Sequence, residues 1–159
     1  MTQSANASSK FVWPPVIYGA AFLAAYFAGD WVALPVAPRG GTRIVAIYAG
    51  LALVGAGLAI ALVAEFQFIR AQTATLPIRP ASALVTGGIY RFSRNPMYLG
   101  MSFVLAGFGL AANSLWYLLA LAPAMYAVFR LAIEPEERYL ETKFGEAYRS
   151  YRRRARRWL

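Results

Sequence analysis

Long apolar stretches alternate with short polar or Pro/Gly-rich stretches along most of the chain. The apolar stretches are residues 11–36, 44–69, 97–112 and 115–133. A helix needs roughly 20 apolar residues to cross a hydrocarbon layer about 30 Å thick, so the first two can span it comfortably. The third is short, and we expect it either to cross with little tilt or to form a helical hairpin with the fourth, turning at Asn113-Ser114. The pattern predicts an all-α integral membrane protein with about four transmembrane helices.

The composition supports this fold class and narrows the chemistry. Hydrophobic residues make up 59% of the chain and charged residues only 14%, which is unusual for a soluble domain. Cysteine and histidine are both absent, which excludes disulfides, Cys/His zinc sites, thiol nucleophiles and Ser-His relays. No metal site is predicted. We expect one membrane domain, with two N-terminal spans in residues 1–69 and a loop, hairpin and tail in residues 70–159.

The formal charge of +9 is unevenly placed. With four spans, the N-terminus, the loop of residues 70–94 and the C-terminal tail share one side of the membrane, and that side holds most of the lysines and arginines. The positive-inside rule places it in the cytoplasm, so both termini are expected there. Anionic lipid headgroups are the predicted partners of the Arg152 to Arg157 cluster, whereas no element suited to reading nucleic acid is present.

Small residues mark the second apolar stretch at Gly50, Gly55, Gly57 and Ala59. A dinucleotide-binding loop would need a preceding strand, and these residues lie inside an apolar helix. We interpret them as a surface for close helix packing.

The run LVTGGIYRFSRNPMYLG, residues 84–100, ends the cytoplasmic loop. Gly87-Gly88 predicts a turn. Asn95 followed by Pro96 predicts a helix start, with asparagine as the N-cap residue and proline at the first helical position. Such a helix N-terminus attracts an anion, for example a carboxylate.

Three acids, Glu134, Glu136 and Glu137, flank Pro135 after the last apolar stretch. One interpretation is that they open a helix and favour its dipole. Another is that a carboxylate here, opposite the N-terminus at Pro96, holds a zwitterionic cofactor such as S-adenosylmethionine. Its sulfonium would suit the faces of Tyr90 and Tyr98, although tyrosines at this level are also ordinary interface anchors.

The C-terminal tail carries an apolar face. Leu140, Phe144, Tyr148 and Tyr151 fall on one side of a helix, with arginines elsewhere. This spacing predicts an amphipathic helix lying on the membrane surface.

From Thr73 to the C-terminus the chain resembles the isoprenylcysteine carboxyl methyltransferase family, whose relatives include membrane phospholipid N-methyltransferases. The resemblance rests on an ordered set of short motifs: Leu84-Val85-Thr86, Gly88-Ile89-Tyr90, Arg94-Asn95-Pro96-Met97-Tyr98, Glu136-Glu137-Arg138-Tyr139-Leu140 and Phe144-Gly145-Glu146-Ala147-Tyr148. The resemblance implies a cytoplasmic S-adenosylmethionine pocket, closed by the loop and the amphipathic tail over the inner ends of the last two spans.

Specific residues follow from the resemblance. The implied cofactor contacts are Ser82, Ala83, Leu84, Val85, Tyr90, Asn95, Pro96, Met97 and Tyr98, with Glu136 as the binding acid and Glu137 beside it as a catalytic candidate. Arg94 is counted with the cofactor contacts, and it could instead be a loop-ordering residue or a phosphate-facing cation.

The chain departs from the family pattern at two positions. Asn95 stands where the family usually has histidine, and it cannot act as a base. Ala132 stands where members that methylate a prenylated cysteine have arginine. Arg130 lies two residues earlier, and an arginine at the membrane boundary is either a catalytic candidate for an anionic substrate group or a snorkelling side chain.

The predicted function is methyl transfer from S-adenosylmethionine to a lipophilic acceptor, which is a carboxylate, thiol or amine, in a bacterial cytoplasmic membrane. Two alternatives remain at this point: a nicotinamide-dependent membrane reductase and a non-catalytic lipid-binding scaffold.

Overall fold

The computed structural model describes residues 13–71 and 83–159, and the regular elements within these ranges are helical. The α-helices are α1 (Pro14–Trp31), α2 (Gly41–Arg70), α3 (Pro96–Ala112), α4 (Leu115–Val128), α5 (Glu134–Phe144) and α6 (Glu146–Arg154). A 3-10 turn (Gly88–Arg91) precedes α3, and a π-helical turn (Phe129–Ile133) joins α4 to α5. The all-α prediction is confirmed for the described residues.

Two described helices are long and apolar enough to cross a membrane. They are Gly41–Arg70 and Leu115–Phe144, with 30 residues each, whereas Pro96–Ala112 is shorter. The prediction that α1 and α3 also cross the membrane fully stays a prediction. The first helix ends at Trp31 rather than at residue 36, and beyond it Pro35 disfavours helix at Leu34. The chain then turns to α4, where the Leu115 amide donates to the Leu34 carbonyl oxygen at 2.8 Å.

Glycines bring α2 and α3 into backbone contact. A Cβ added at Gly57 would lie 2.5 Å from the carbonyl oxygen of Gly100, and a Cβ at Gly50 would lie 2.5 Å from that of Gly107. The predicted packing role is confirmed for Gly50 and Gly57, because only glycine permits so close an approach. Gly55 faces open space, with nothing within 4 Å of an added Cβ.

We expect Gly57→Leu to destabilise the protein strongly, because a side chain would force α2 away from α3. Overpacking a close contact costs about 1–3 kcal/mol or more. The matched control is Gly55→Leu, which adds the same side chain where there is room. In detergent, the midpoint temperature of thermal unfolding should fall markedly for Gly57→Leu and little for Gly55→Leu. Equal midpoints for the two variants would contradict the close contact.

The predicted hairpin turn between α3 and α4 is confirmed. Asn113 adopts the left-handed conformation with φ 57°, which asparagine tolerates. Its side-chain oxygen accepts from the Ala37 amide at 2.8 Å, and its amide nitrogen donates to the Ala37 carbonyl oxygen at 3.2 Å. The same turn therefore anchors the connection between α1 and α2.

The helix does not restart at the acids after α4. Residues Leu115–Phe144 are helical throughout, and the Glu134 amide donates to the Phe129 carbonyl oxygen, five residues back. Such a π-helical turn accommodates Pro135, which has no amide hydrogen. Because no free helix start precedes them, stabilisation of a dipole is a weak explanation for Glu136 and Glu137.

The C-terminal tail differs from the predicted amphipathic helix. It forms two helices, which are divided at Gly145 with φ 53°. The apolar face does not lie open to a membrane surface: Tyr148 and Tyr151 are buried against Tyr90 and Ala64. The face is buried because the loop before α3 and the end of α2 cover it.

Candidate functional site

The loop before α3 is held from one side by α2. Gly88 has φ 55°, a left-handed conformation that favours glycine, and it lies directly against the Gln67 side chain. With its amide oriented to satisfy both partners, Gln67 donates to the Gly87 carbonyl oxygen and accepts from the Ile89 amide, each at 3.2 Å. Gln67 thus fixes the predicted Gly87-Gly88 turn.

Tyr90 follows this turn and is buried, 4% exposed. Its ring packs edge-on against Phe68, with centroids 5.2 Å apart, and its carbonyl oxygen accepts from the Tyr151 hydroxyl at 2.7 Å. Burial, and then the nearby charge of Glu136, raise the pKa of Tyr90 far above its ordinary value. The Tyr90 hydroxyl is therefore a protonated donor, and it has no hydrogen-bond partner within the described part of the chain.

We expect Tyr151→Phe to lower stability by about 1 kcal/mol, because it leaves the buried Tyr90 carbonyl without its donor. The control is Tyr126→Phe, since Tyr126 is 66% exposed. Thermal unfolding of both variants measures the difference. An equally small shift of the unfolding temperature in Tyr151→Phe and Tyr126→Phe would contradict the buried hydrogen bond.

The N-terminus of α3 is as predicted, with Asn95 as the N-cap residue and Pro96 in the first turn. The Asn95 side chain does not cap the helix, however. Its Nδ2 donates to the Arg157 carbonyl oxygen at 2.9 Å instead. The Met97 and Tyr98 amides, which have no acceptor within a helix at this position, are left without a side-chain cap.

Glu136 faces the start of α3. The Tyr98 hydroxyl donates to Glu136 Oε2 at 3.4 Å, which joins residues 38 positions apart in the sequence. Together with the Tyr90 hydroxyl, this arrangement places a carboxylate and two phenols near one helix N-terminus.

Glu137 lies between two arginines. Arg157 makes a bidentate contact, with Nε donating to Oε1 at 3.1 Å and Nη2 donating to Oε2 at 2.8 Å. Arg94 Nη1 lies 3.3 Å from Oε1. The side chains of Arg94 and Glu137 are only 10% and 13% exposed, so this pair is buried, whereas the Arg157 side chain is 38% exposed. Hydrogen bonding to Glu137 raises the pKa of Arg157, which keeps it charged.

Arg130 is placed apart from this cluster. Its side chain is 53% exposed and pairs with Glu134 at 2.9 Å, one helical turn away. An exposed pair of this kind contributes little to stability.

The structure therefore brings together Tyr90, Tyr98, Glu136, Arg94 and Glu137. Leu84, Val85 and Met97 pack around the buried tyrosines, and Ala83 is partly buried. Ser82 lies outside the described residues.

Sequence reasoning missed Gln67, Ser93 and Arg157. Gln67 carried a signal, as a lone amide in an apolar helix, whereas Arg157 was hidden among neighbouring arginines.

A family model describes the same region of the chain. The model of the phospholipid methyltransferase family matches residues 45–147, which include Tyr90, Tyr98 and the two glutamates. This chain belongs to the phospholipid methyltransferase family. The predicted relationship to membrane methyltransferases is thereby confirmed, and membership supports an enzyme.

Two curated relatives of this family member match parts of it. One is the protein-S-isoprenylcysteine O-methyltransferase of Schizosaccharomyces pombe, 32% identical over 71 residues, which are 45% of this chain and 30% of the yeast protein. The other is an uncharacterised protein of Haemophilus influenzae, 39% identical over 64 residues, which are 40% of this chain and 100% of that protein. The matched part thus spans less than a third of the yeast enzyme. No solved structure matches.

Proposed function

We propose that this family member transfers a methyl group from S-adenosylmethionine to a lipophilic acceptor at the cytoplasmic face of a bacterial inner membrane. The observation that carries the proposal is the pairing of Glu136 with Tyr98 at the start of α3, which has no side-chain cap, beside the Tyr90 hydroxyl, which has no hydrogen-bond partner among residues 13–71 and 83–159. All three residues lie within the family match.

These groups fit the polar end of the cofactor. The Glu136 carboxylate, held by the Tyr98 hydroxyl, suits an ammonium group. The Met97 and Tyr98 amides, which receive no side-chain cap at the N-terminus of α3, suit a carboxylate. A zwitterion that carries both charges close together matches this combination better than a neutral ligand does.

Further groups complete the proposed pocket. The Tyr90 hydroxyl and the buried Nε of Arg94 have no hydrogen-bond partner within the described residues, so each retains a donor for the cofactor. Ala83, Leu84, Val85, Asn95 and Pro96 would shape its walls, and the predicted contact of Ser82 remains part of the proposal.

When bound, the cofactor supplies an electrophilic methyl group on a sulfonium. The protein's part is positioning: Tyr90 and Tyr98 offer aromatic faces to a sulfonium, and the buried setting strengthens such contacts. Holding the acceptor in line with the methyl group makes the step effectively unimolecular.

The acceptor would be a carboxylate, thiol or amine on an apolar molecule that arrives through the bilayer. Arg130, as the proposed partner of an anionic acceptor group, would have to leave Glu134, and its exposure permits this. The arginines of α6, three of which are exposed in its last turn, would hold anionic headgroups beside the pocket.

Calorimetric titration of the detergent-purified protein with S-adenosylhomocysteine, and separately with NADPH, tests the proposal. We expect binding of S-adenosylhomocysteine alone. Binding of NADPH alone would favour a reductase, and binding of neither would favour a lipid-binding scaffold.

A further inference from the structure

The last residues of the chain lie along the loop before α3 like a short strand. The Arg94 amide donates to the Arg156 carbonyl oxygen at 2.8 Å, within a parallel bridge between Ser93 and Arg156. The Arg157 carbonyl oxygen accepts from Asn95 Nδ2 at 2.9 Å and from Ser93 Oγ at 3.3 Å. The tail backbone thus fixes the loop immediately before the helix start at Pro96.

The Arg157 side chain turns back from this segment to α5. Its guanidinium binds both carboxylate oxygens of Glu137 and lies over the Phe129 ring, 5.0 Å from the centroid. Glu137 in turn contacts Arg94. One carboxylate therefore joins three parts of the chain: α5, the loop before α3, and the C-terminal segment.

Two members of this cluster are close sequence neighbours of residues in the proposed pocket. Glu137 follows Glu136 directly on α5, and Arg94 precedes the helix that carries Tyr98. A bidentate arginine–carboxylate contact has a fixed, planar geometry. The cluster therefore sets how far the Glu136 carboxylate lies from the start of α3.

We propose that Arg157 is a positioning residue, which together with Glu137 and Arg94 clamps α5 to the loop so that Glu136 and Tyr98 face a common ligand. This inference rests on the proposed function. It gives Glu137 a positioning role rather than the predicted catalytic one. The family match ends at residue 147, so the Arg157 half of the clamp lies beyond the matched region.

The test is S-adenosylhomocysteine binding by Arg157→Ala, measured by calorimetry. We expect about a 10-fold weaker affinity, the equivalent of 1.4 kcal/mol. Arg138→Ala is the matched control, because Arg138 is an exposed arginine of α5, next to Glu137 in the sequence, whose Nη2 lies 4.0 Å from Glu134 Oε2. Its affinity should equal that of the wild type.

Two further variants separate positioning from general stability. Gly50→Ala disturbs the α2–α3 contact far from the site, so it should lower the unfolding temperature without a comparable loss of affinity. In a double-mutant cycle, Glu137→Gln combined with Arg157→Ala should weaken binding no more than the stronger single change, because both remove the same contact.

The outcomes are distinguishable. Wild-type affinity in Arg157→Ala, or additive effects in the cycle, would overturn the clamp while leaving the proposed function intact. A loss of affinity in Gly50→Ala that is proportional to its loss of stability would also overturn the clamp. Absence of binding by the wild type would overturn the proposed function and, with it, this inference.

Discussion

Glutamine in place of Glu136 is expected to weaken S-adenosylhomocysteine binding by about 100-fold, because the change keeps the shape of the side chain and removes its charge. Losing a charged partner in a buried contact typically costs about 2–5 kcal/mol. Calorimetry on the purified protein measures the effect.

The control for this change is Glu146→Gln. Glu146 lies on the exposed side of α6, where it pairs with Arg149 and Arg153. We expect wild-type affinity for the control. If both glutamine variants bind equally well, Glu136 is not the acid that holds the ligand.

Alanine in place of Glu137 should cause the largest loss of stability of any single change to a charged residue in the tail. It leaves Arg94 and Arg157 facing each other without their shared carboxylate, and Arg94 is only 10% exposed. Removing one partner of a buried ion pair costs about 3–5 kcal/mol. Thermal unfolding in detergent measures the shift.

Glu146→Ala again provides the comparison, since its ion pairs are exposed and should contribute little. A similar small shift for both variants would show that the buried cluster does not stabilise the fold. Because we expect Glu137→Ala to fold poorly, the milder Glu137→Gln is the variant suited to binding measurements.

Much of the fold followed from local sequence signals. The apolar stretches predicted the existence of the helices, but the first helix ends at Trp31 rather than at residue 36, and helix continues past residue 133 to Phe144. Asn113 predicted the hairpin turn, because asparagine tolerates the left-handed conformation. Asn95-Pro96 predicted the start of α3, because proline is favoured at the first helical position. The glycines predicted close helix packing, but the sequence did not show which of them contact α3. That depends on the orientation of α2, so Gly57 meets α3 and Gly55 does not.

The site was predictable only in part. The motifs indicated Glu136, Tyr90 and Tyr98, and the structure brings Glu136 and Tyr98 into contact. The prediction that the tail lies on the membrane surface was wrong. An apolar helical face predicts that the face is buried, but it does not show which surface covers it. The face packs against Tyr90 of the loop and Ala64 of α2 rather than against lipid. Arg157 could not be distinguished from its neighbours, since its role depends on a contact with Glu137, 20 residues earlier.

The most direct test of the central proposal is methyl transfer itself. Purified protein would be added to native membranes with S-adenosylmethionine labelled in its methyl group, and the label in the organic extract would be counted. We expect incorporation with the wild type and with Glu146→Gln, and a loss of nearly all incorporation with Glu136→Gln. Incorporation that is unaffected by Glu136→Gln, or no incorporation above a protein-free control, would contradict the proposed function.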